Sequence, residues 1–295
     1  MITFHELGKY GRLGNQLFQY AALKGLALKK GYEIKIPKPK DMEWHGQTCL
    51  LDQFNIECEY LEKGDLNSIQ SIYNEKNSKV YNPEFWDIPD NTTIKGFFQS
   101  TLYFKDFKEQ IKKELTPQKK WIDESKEILN KIKSSYSGYE LVSLHMRRGD
   151  NTDGSDAIPL YVDMYGTNNG FSWESPYGTY LKNAMNVFKD KKVKFLIFTG
   201  GKKWTDDNSE DLEWCNKHFK GENFIYPSKT STMLDFSLIM NCDHHILSHL
   251  SSFGWWAAYL NNKKNKKVVA PYKYDFTDSN YKPKEGFYPK KYIVL

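Results

Sequence analysis

The sequence lacks the short motifs that mark most nucleotide-binding and metal-dependent proteins. It has no G-x-x-x-x-G-K-[ST] segment, no G-x-G-x-x-G segment and no D-x-D segment. These absences argue against a P-loop, a dinucleotide fold with its usual fingerprint and a diphosphate held through Mg²⁺ or Mn²⁺. The seven histidines include His244, His245 and His249, but their spacing is not that of helical metal ligands. We therefore expect no metal site.

Cysteine pairs and long apolar runs are also missing. No stretch approaches the roughly 18 apolar residues of a membrane helix, and the mean hydropathy is -0.70. The N-terminal segment has no basic region, apolar core or cleavage site of a signal peptide, so we expect a cytoplasmic protein. The cysteines are scattered without a C-x-x-C pair, which favours reduced thiols over disulfides or zinc: Cys49, Cys58, Cys215 and Cys242.

Arginine is almost absent. Only three of the 42 basic residues are arginine, namely Arg12, Arg147 and Arg148, and lysine provides every other positive charge. All three lie in glycine-marked segments, GRLGNQ and HMRRGD. Because the planar guanidinium binds phosphate through two parallel hydrogen bonds, we interpret these positions as phosphate ligands. The alternative is that they are buried structural arginines paired with carboxylates.

The net charge of +5 has two interpretations. One is a lysine-rich solvated surface, and the other is attraction to the phosphates of a nucleotide or of an anionic membrane surface. A cluster at Lys263, Lys264, Lys266 and Lys267 is placed where it can contact lipid headgroups. The lysines form no basic stripe, which argues against a nucleic-acid partner.

The alternation of apolar runs and helical patterns predicts an α/β protein. In the second half, strand-like runs at 141–144, 193–198, 223–225, 245–247 and 268–270 alternate with helical patterns at 178–189, 210–219, 231–240 and 253–261. Such alternation is typical of βαβ units and a parallel sheet. The first half begins with a strand, a glycine-rich turn and a helix that Asn15 can cap. A composition change at 134–139 divides the chain into two α/β domains, 1–137 and 138–295.

A polar segment follows the first strand of the second half. Strand alternation places His145 and Arg147 on one face as this strand ends, where parallel sheets bind ligands. Gly149 permits a close backbone approach, and Asp150 can orient an arginine or accept a proton. The alternative is a surface turn with a salt bridge. The polar segment at 150–176 reads as an active-site loop.

A second candidate segment surrounds two serines. Ser251 or Ser252 is expected to cap a helix whose free N–H groups can bind a diphosphate without a metal. Trp255 and Trp256 are expected in the core. Upstream, the carboxylate of Asp235 can accept hydrogen bonds from N1–H and the 2-amino group of a guanine, although an ordinary helix carboxylate is the alternative.

Four segments together carry a family resemblance. GRLGNQLFQYAA (11–22), KGFFQSTLYF (95–104), HMRRGD (145–150) and CDHHILSHLSSFGWWAAYL (242–260) resemble the bacterial α-1,2-fucosyltransferases of glycosyltransferase family 11. The likeness extends over nearly the whole chain. It implies a GT-B-like architecture of two facing Rossmann-type α/β domains with mostly parallel sheets, GDP-fucose as donor, inversion at the anomeric carbon and no required metal ion or other cofactor.

The resemblance also implies roles for individual residues. By this likeness Arg147 grips the β-phosphate, His145, Asp235 and Ser252 line the GDP site, and Asn15 faces the diphosphate. The resulting catalytic candidates are Arg147, Asp150 and His145. The resulting donor-binding candidates are Arg12, Gly14, Asn15, Arg148, Asp235, Ser251, Ser252 and Phe253. The sequence departs from the family in a longer loop after Asp150 and in Leu250 and Gly254 within the serine motif.

The sequence therefore predicts an inverting transfer of L-fucose from GDP-β-L-fucose to the 2-hydroxyl of a terminal galactoside in a cell-surface glycan. The partners are GDP-fucose and a galactose-containing oligosaccharide, with the first domain on the acceptor side and the second binding GDP-fucose. The location is cytoplasmic, with peripheral contact at the inner face of the bacterial plasma membrane. Alternatives are a fucosyltransferase of other linkage and a non-catalytic protein that binds GDP-sugars or glycans. The acceptor is expected against aromatic residues such as Trp44, Tyr103, Tyr165 or Trp173.

Overall fold

The chain forms two compact units. The computed structural model describes residues 1–78, 80–149, 171–200, 207–227, 231–249, 251–272, 283 and 285–295. The N-terminal unit comprises Met1–Gln118 and Pro283–Lys290, and the C-terminal unit comprises Lys119–Lys282 and Lys291–Leu295. The division lies one helix before the boundary expected at 137/138. The helix Lys119–Ser135 belongs to the C-terminal unit because it packs against the helix Thr232–Asn241, where Asn241 Nδ2 donates to Ser125 Oγ at 2.9 Å.

The N-terminal unit is built on a five-stranded sheet in the order β5-β2-β1-β7-β6, in which every pair is parallel. Its strands are β1 (Ile2–Thr3), β2 (Ile34–Ile36), β5 (Glu59–Tyr60), β6 (Ser71–Asn74) and β7 (Thr92–Lys95). A separate antiparallel hairpin joins β3 (Glu43–Trp44) to β4 (Gln47–Thr48). The helices of this unit are α1 (Leu13–Lys30) and α2 (Lys108–Glu114).

Helix α1 is buried along most of its length. It begins after Arg12, so Asn15 lies inside the first turn and is not the cap that we predicted. Asn15 Oδ1 instead accepts a hydrogen bond from Gln99 Nε2 at 2.8 Å. The helix ends at Gly31, whose left-handed backbone (φ 71°) lets its N–H bond the carbonyl of Ala27.

A late segment of the chain completes the N-terminal unit. Thr101 donates from its backbone N–H to the carbonyl of Gly286 at 3.0 Å, and Ser100 Oγ donates to the carbonyl of Glu285 at 2.6 Å. The ring of Phe287 stacks on that of Phe18 in α1 with centroids 5.9 Å apart. The segment 283–290 is therefore part of this unit's core although it is distant in sequence.

The C-terminal unit is built on a six-stranded parallel sheet. Its strands are β8 (Glu140–Met146), β9 (Val193–Thr199), β10 (Phe224–Ile225), β11 (His244–Ile246), β12 (Val268–Ala270) and β13 (Ile293–Val294). Its helices are α3 (Lys119–Ser135), α4 (Pro176–Asn186), α5 (Ser209–His218), α6 (Thr232–Asn241) and α7 (Ser252–Leu260). The sheet order is β10-β9-β8-β11-β12-β13.

This strand order defines the place for a ligand. Counted along the chain, the order is 3-2-1-4-5-6, which is that of dinucleotide-binding Rossmann sheets, and it reverses between β8 and β11. The N-terminal sheet, counted in the same way, has the order 3-2-1-5-4, so its first strand, β1, and its last strand, β7, are neighbours. The predicted fold class, α/β with two Rossmann-type units whose sheets are mostly parallel, is confirmed.

Half of the lysine cluster at 263–267 is engaged inside the C-terminal unit. Lys263 Nζ donates to the carbonyl of Asn241 at 2.8 Å, and Lys266 Nζ donates to that of Ala258 at 2.5 Å. Both lysines thus bind carbonyl oxygens at helix C-terminal ends, as the helix dipole favours. In the described part of the chain, no helix is long and apolar enough to span a bilayer.

Candidate active site

The candidate site lies at the strand ends on either side of the reversal in the C-terminal sheet. Strand β8 ends at Met146, and the next backbone N–H, that of Arg147, donates to Ser248 Oγ at 3.0 Å, just past β11. Ser248 Oγ in turn lies 2.9 Å from the hydroxyl of Tyr177 in α4. These bonds fix the backbone from which the Arg147 side chain projects. Because an added Cβ on Gly200 would lie 3.7 Å from Arg147 Nη1, the guanidinium also lies beside the end of β9.

His145 is held against the start of α7. Its side chain is buried, and its Nδ1 lies 3.1 Å from Ser251 Oγ. Gly254 permits this approach, because an added Cβ there would lie 3.3 Å from the same nitrogen. Burial and the nearby positive charge of Arg147 lower the pKa of His145 to about 3. The imidazole is therefore neutral near pH 7 and a weak base, which argues against proton transfer by this catalytic candidate.

The N-terminus of α7 is capped by a serine, as we predicted from Ser251 and Ser252. Ser251 is the N-cap, and its Oγ accepts a hydrogen bond from the N–H of Gly254 at 3.3 Å. Ser252 and Phe253 form the first turn, where backbone N–H groups and the helix dipole favour an anion. Trp255 and Trp256 are fully buried, as predicted. Arg147 and this helix terminus thus place two sources of positive potential at one edge of the sheet.

Asp235 lies at the same edge, in the first turn of α6. Helix α6 is capped by Ser231, packs beside α7 and leaves the Asp235 side chain half-buried. Its neighbour Phe236 meets the ring of Phe253 at a centroid distance of 5.3 Å, and Phe253 meets His145 at 5.6 Å. This continuous row of contacts brings the first turns of α6 and α7 together with the end of β8.

Arg148 has a different environment from Arg147. Its Nε donates to Asp211 Oδ1 at 3.0 Å, both side chains are nearly excluded from solvent, and its guanidinium carbon lies 4.0 Å from the ring centroid of Trp214. This is the structural alternative that the sequence left open for the arginines. Asp211 is buried in α5. No local pattern in the sequence indicates this pair, because its members are separated by 63 residues.

The candidates of the N-terminal unit lie at the start of α1. Arg12 is the half-buried N-cap residue, Gly14 is buried in the first turn, and Asn15 bonds Gln99. The acceptor candidate Tyr103 is fully buried and its hydroxyl accepts from the N–H of Asn82, so it cannot contact a sugar. Asp150, Tyr165 and Leu250 lie outside the described residues.

The described ranges contain no group of three or more His, Cys, Asp or Glu side chains able to hold a metal ion. The positive charge at this sheet edge comes from Arg147 and from the N-terminus of α7. Such an arrangement can bind a diphosphate directly and stabilise the charge that builds on it when it departs.

Comparison with known proteins decides the family. The model for glycosyl transferase family 11 matches residues 3–295. The chain belongs to glycosyl transferase family 11. This family 11 protein is similar to an α-1,2-colitosyltransferase of Escherichia coli, with 28% identity over 288 residues that cover 88% of this chain and 89% of the relative.

Further similarity extends to animal enzymes and solved structures. Galactoside α-(1,2)-fucosyltransferase 1 of Ateles belzebuth is 27% identical over 258 residues, which cover 85% of this chain and 63% of the primate protein. Among solved structures, the fucosyltransferase NodZ from Bradyrhizobium aligns with a TM-score of 0.46 and 13% identity over 87% of this chain and 92% of that chain.

Proposed function

We propose that this family 11 glycosyltransferase transfers L-fucose from GDP-β-L-fucose to the 2-hydroxyl of a terminal galactoside, with inversion. The observation that carries the proposal is that Arg147, at the end of β8, and the N-terminus of α7 lie at the same edge of the C-terminal sheet, beside its reversal. A sugar nucleotide needs positive charge at its leaving diphosphate, and this edge provides it. The α-1,2 linkage is supported by the similarity to an α-1,2-colitosyltransferase and a galactoside α-(1,2)-fucosyltransferase.

The reaction is an in-line displacement with oxocarbenium character. The bond from the anomeric carbon to the β-phosphate oxygen breaks, and a bond from that carbon to the acceptor oxygen forms on the opposite face. Arg147 and the N–H groups of Ser252 and Phe253 stabilise the negative charge on departing GDP. The acceptor hydroxyl loses its proton late in this mechanism, to solvent water or to the carboxylate of Asp150. With a pKa of about 3, His145 contributes shape and a neutral hydrogen-bonding group rather than proton transfer.

We infer the remaining contacts to GDP-fucose from the positions of the side chains in the C-terminal unit. Asp235 accepts the N1–H and 2-amino hydrogen bonds of guanine, and Phe253 contributes an apolar wall beside it. Arg148 acts through the backbone of Arg147, since Asp211 and Trp214 hold its guanidinium. Diphosphate contacts by Arg12, Gly14 and Asn15, and proton acceptance by Asp150, remain predictions from the sequence.

A second candidate donor is GDP-colitose. The favouring observation is the similarity to the α-1,2-colitosyltransferase along 88% of this chain. Colitose is fucose without its 3-hydroxyl, so a pocket that hydrogen-bonds this hydroxyl discriminates strongly between the two donors. Competition of both nucleotides at equal concentration separates the candidates.

The direct test offers GDP-fucose to a panel of β-galactosides and β-glucosides and determines the product linkage by NMR. An α-1,2-fucosylated galactoside is the expected product. A different linkage would support the alternative of another fucosyltransferase. Binding of GDP without consumption of GDP-fucose in the presence of any galactoside would support a non-catalytic binding protein. A membrane partner is not proposed, because Lys263 and Lys266 bind helix ends of their own unit.

A further inference from the structure

The N-terminal unit carries a connected row of aromatic rings that the proposed donor site does not use. Tyr10 stacks on Phe97 with centroids 4.8 Å apart and planes inclined by 21°. Trp44 meets the edge of Tyr10 at 6.2 Å, and His45 meets Trp44 at 4.4 Å. We call Tyr10, Trp44, His45 and Phe97 the ring row. All four side chains are half-buried, so each leaves part of its surface open to solvent.

The backbone beneath the ring row is fixed by two polar side chains, the buried Gln19 and the half-buried Glu75. Gln19 of α1 donates from one amide nitrogen to the carbonyl of Tyr10 at 2.7 Å and to that of Gly96 at 3.1 Å. Glu75 accepts hydrogen bonds from the N–H groups of Phe97 and Phe98 at 2.8 and 3.1 Å. A single glutamine therefore holds both loops that carry the stacked pair Tyr10 and Phe97.

Backbone strain is concentrated at the same place. Among the described residues, three that are not glycine have a positive φ, and two of them, His45 (φ 49°) and Phe98 (φ 49°), directly follow Trp44 and Phe97. Such conformations are costly for residues with a Cβ and cluster at ligand sites. His45 lies in the two-residue turn between β3 and β4, directly after Trp44.

Two of the four rings lie on loops at the carboxyl ends of neighbouring parallel strands, which is where open α/β sheets bind ligands. The Tyr10 loop follows β1 and the Phe97 loop follows β7. A charged pair borders the rings, with Lys95 Nζ 2.7 Å from Glu6 Oε2 and 5.7 Å from the Tyr10 centroid. Rigid aromatic faces bordered by hydrogen-bonding groups match a pyranose, which has one apolar face and a rim of hydroxyls.

We propose that the ring row is the acceptor subsite and that it takes the apolar face of a galactopyranoside. This inference rests on the proposed function. In galactose the axial 4-hydroxyl leaves H3, H4 and H5 on one face, and this patch stacks on aromatic rings. The 2-hydroxyl is equatorial and stays at the rim, free to react. Glu6 and Lys95 bind rim hydroxyls and favour galactosides over glucosides, whose equatorial 4-hydroxyl interrupts the apolar patch.

The first test needs no donor. Saturation-transfer NMR of the whole protein with methyl β-galactoside should transfer signal to H3, H4 and H5, and methyl β-glucoside should receive less. Trp44→Ala should abolish the transfer, whereas Trp44→Phe should keep part of it. Trp121→Ala, on α3 of the C-terminal unit, is the matched control and should behave as the parent protein.

The second test uses turnover. Trp44→Ala and Tyr10→Ala should each raise the acceptor KM about tenfold, with the donor KM and the melting temperature within error of the parent. Tyr10→Phe keeps the stack and should change the acceptor KM by less than about twofold. Unchanged acceptor KM in both alanine variants, or equal transfer to galactoside and glucoside, would overturn the inference. Galactoside binding that depends on Trp44 without any use of GDP-fucose would refute the proposed function and leave the subsite standing.

Discussion

At the scale of single residues, we expect substitution of Arg147 to have the largest effect on turnover. Lysine keeps the charge and length but loses the planar fork where the transition state gains negative charge. We expect Arg147→Lys to lower kcat about 10²–10³-fold, or roughly 2.7–4 kcal/mol, with a smaller change in GDP affinity and a similar melting temperature. Initial rates, GDP calorimetry and thermal unfolding measure the three quantities.

The control for this variant must be an exposed lysine. Lys24 does not qualify, because its Nζ lies 3.0 Å from Glu114 Oε1 in a buried ion pair. Lys30 is exposed at the end of α1, so Lys30→Arg should change neither rate nor stability. A folded Arg147→Lys enzyme with parental turnover would remove Arg147 from the diphosphate site.

Asp235 tests the nucleobase contact. Asparagine has one accepting oxygen, and its NH2 group would face the second guanine donor, so Asp235→Asn should weaken donor binding by about 1–3 kcal/mol and leave the acceptor KM unchanged. Titration with GDP and with UDP separates loss of base recognition from loss of diphosphate binding, since only GDP affinity should fall. Asp190→Asn, at an exposed position, is the control. Equal GDP affinity in the variant and the parent would exclude Asp235 from the base site.

At the scale of secondary-structure elements, the sequence predicted the strands, helices and helix caps that depend on local residue patterns. The second-half strands are buried on both faces and read as continuous apolar runs, so β8, β9 and the helices around them fall close to their predicted positions. The N-cap at Ser251 followed from local chemistry. Contacts between segments that are distant in sequence produce no local pattern. In the sequence Asp211 looks like a solvated residue and Tyr103 like a surface aromatic, but both are buried in the structure.

The pair between Arg148 and Asp211 gives a prediction for α5. Asp211→Ala leaves the Arg148 guanidinium buried without its carboxylate, which should lower the free energy of unfolding by about 3–5 kcal/mol. The double variant Arg148→Met with Asp211→Leu should recover most of this loss, because two apolar groups replace the charges. Urea unfolding compares the variants. If the double variant is stable but binds GDP-fucose far more weakly than the parent, Arg148 contacts the donor and its role here is wrong.

At the scale of the whole molecule, the charge arrangement predicts activity in the presence of EDTA. Arg147 and the N-terminus of α7 supply the positive potential that a divalent ion supplies elsewhere. Turnover should stay within error of the untreated enzyme after chelation and dialysis. Loss of most turnover, with recovery on Mn²⁺ addition, would contradict this mechanism.

Two buried histidines predict the pH dependence of stability. Burial lowers the pKa of His145 to about 3 and that of His245 well below its ordinary value of 6.5. From about pH 6.5 to 5 the unfolded chain therefore binds protons that the folded chain does not. The free energy of unfolding should fall on acidification by up to about 1.4 kcal/mol per pH unit for each histidine.

Urea unfolding across this range measures the slope. His245→Gln should remove one histidine's share of it, because glutamine does not titrate. Its amide can still bond Ser143 and Asn261, each of which lies 2.8 Å from a ring nitrogen of His245. A slope equal to that of the parent would show that His245 does not contribute.

The return of residues 283–290 to the N-terminal unit has a consequence for module exchange between related enzymes. A chimera that replaces only residues 1–118 would pack a foreign α1 and a foreign 100–101 turn against the resident Gly286 and Phe287. Exchanging the N-terminal unit, and with it the acceptor subsite that we propose, therefore requires grafting two stretches at once, 1–118 and 283–290. Recombination with a single crossover would exchange only one of the two stretches and would disrupt the core of the N-terminal unit. Point substitutions leave this core intact, so we expect them to change acceptor preference more readily than recombination does.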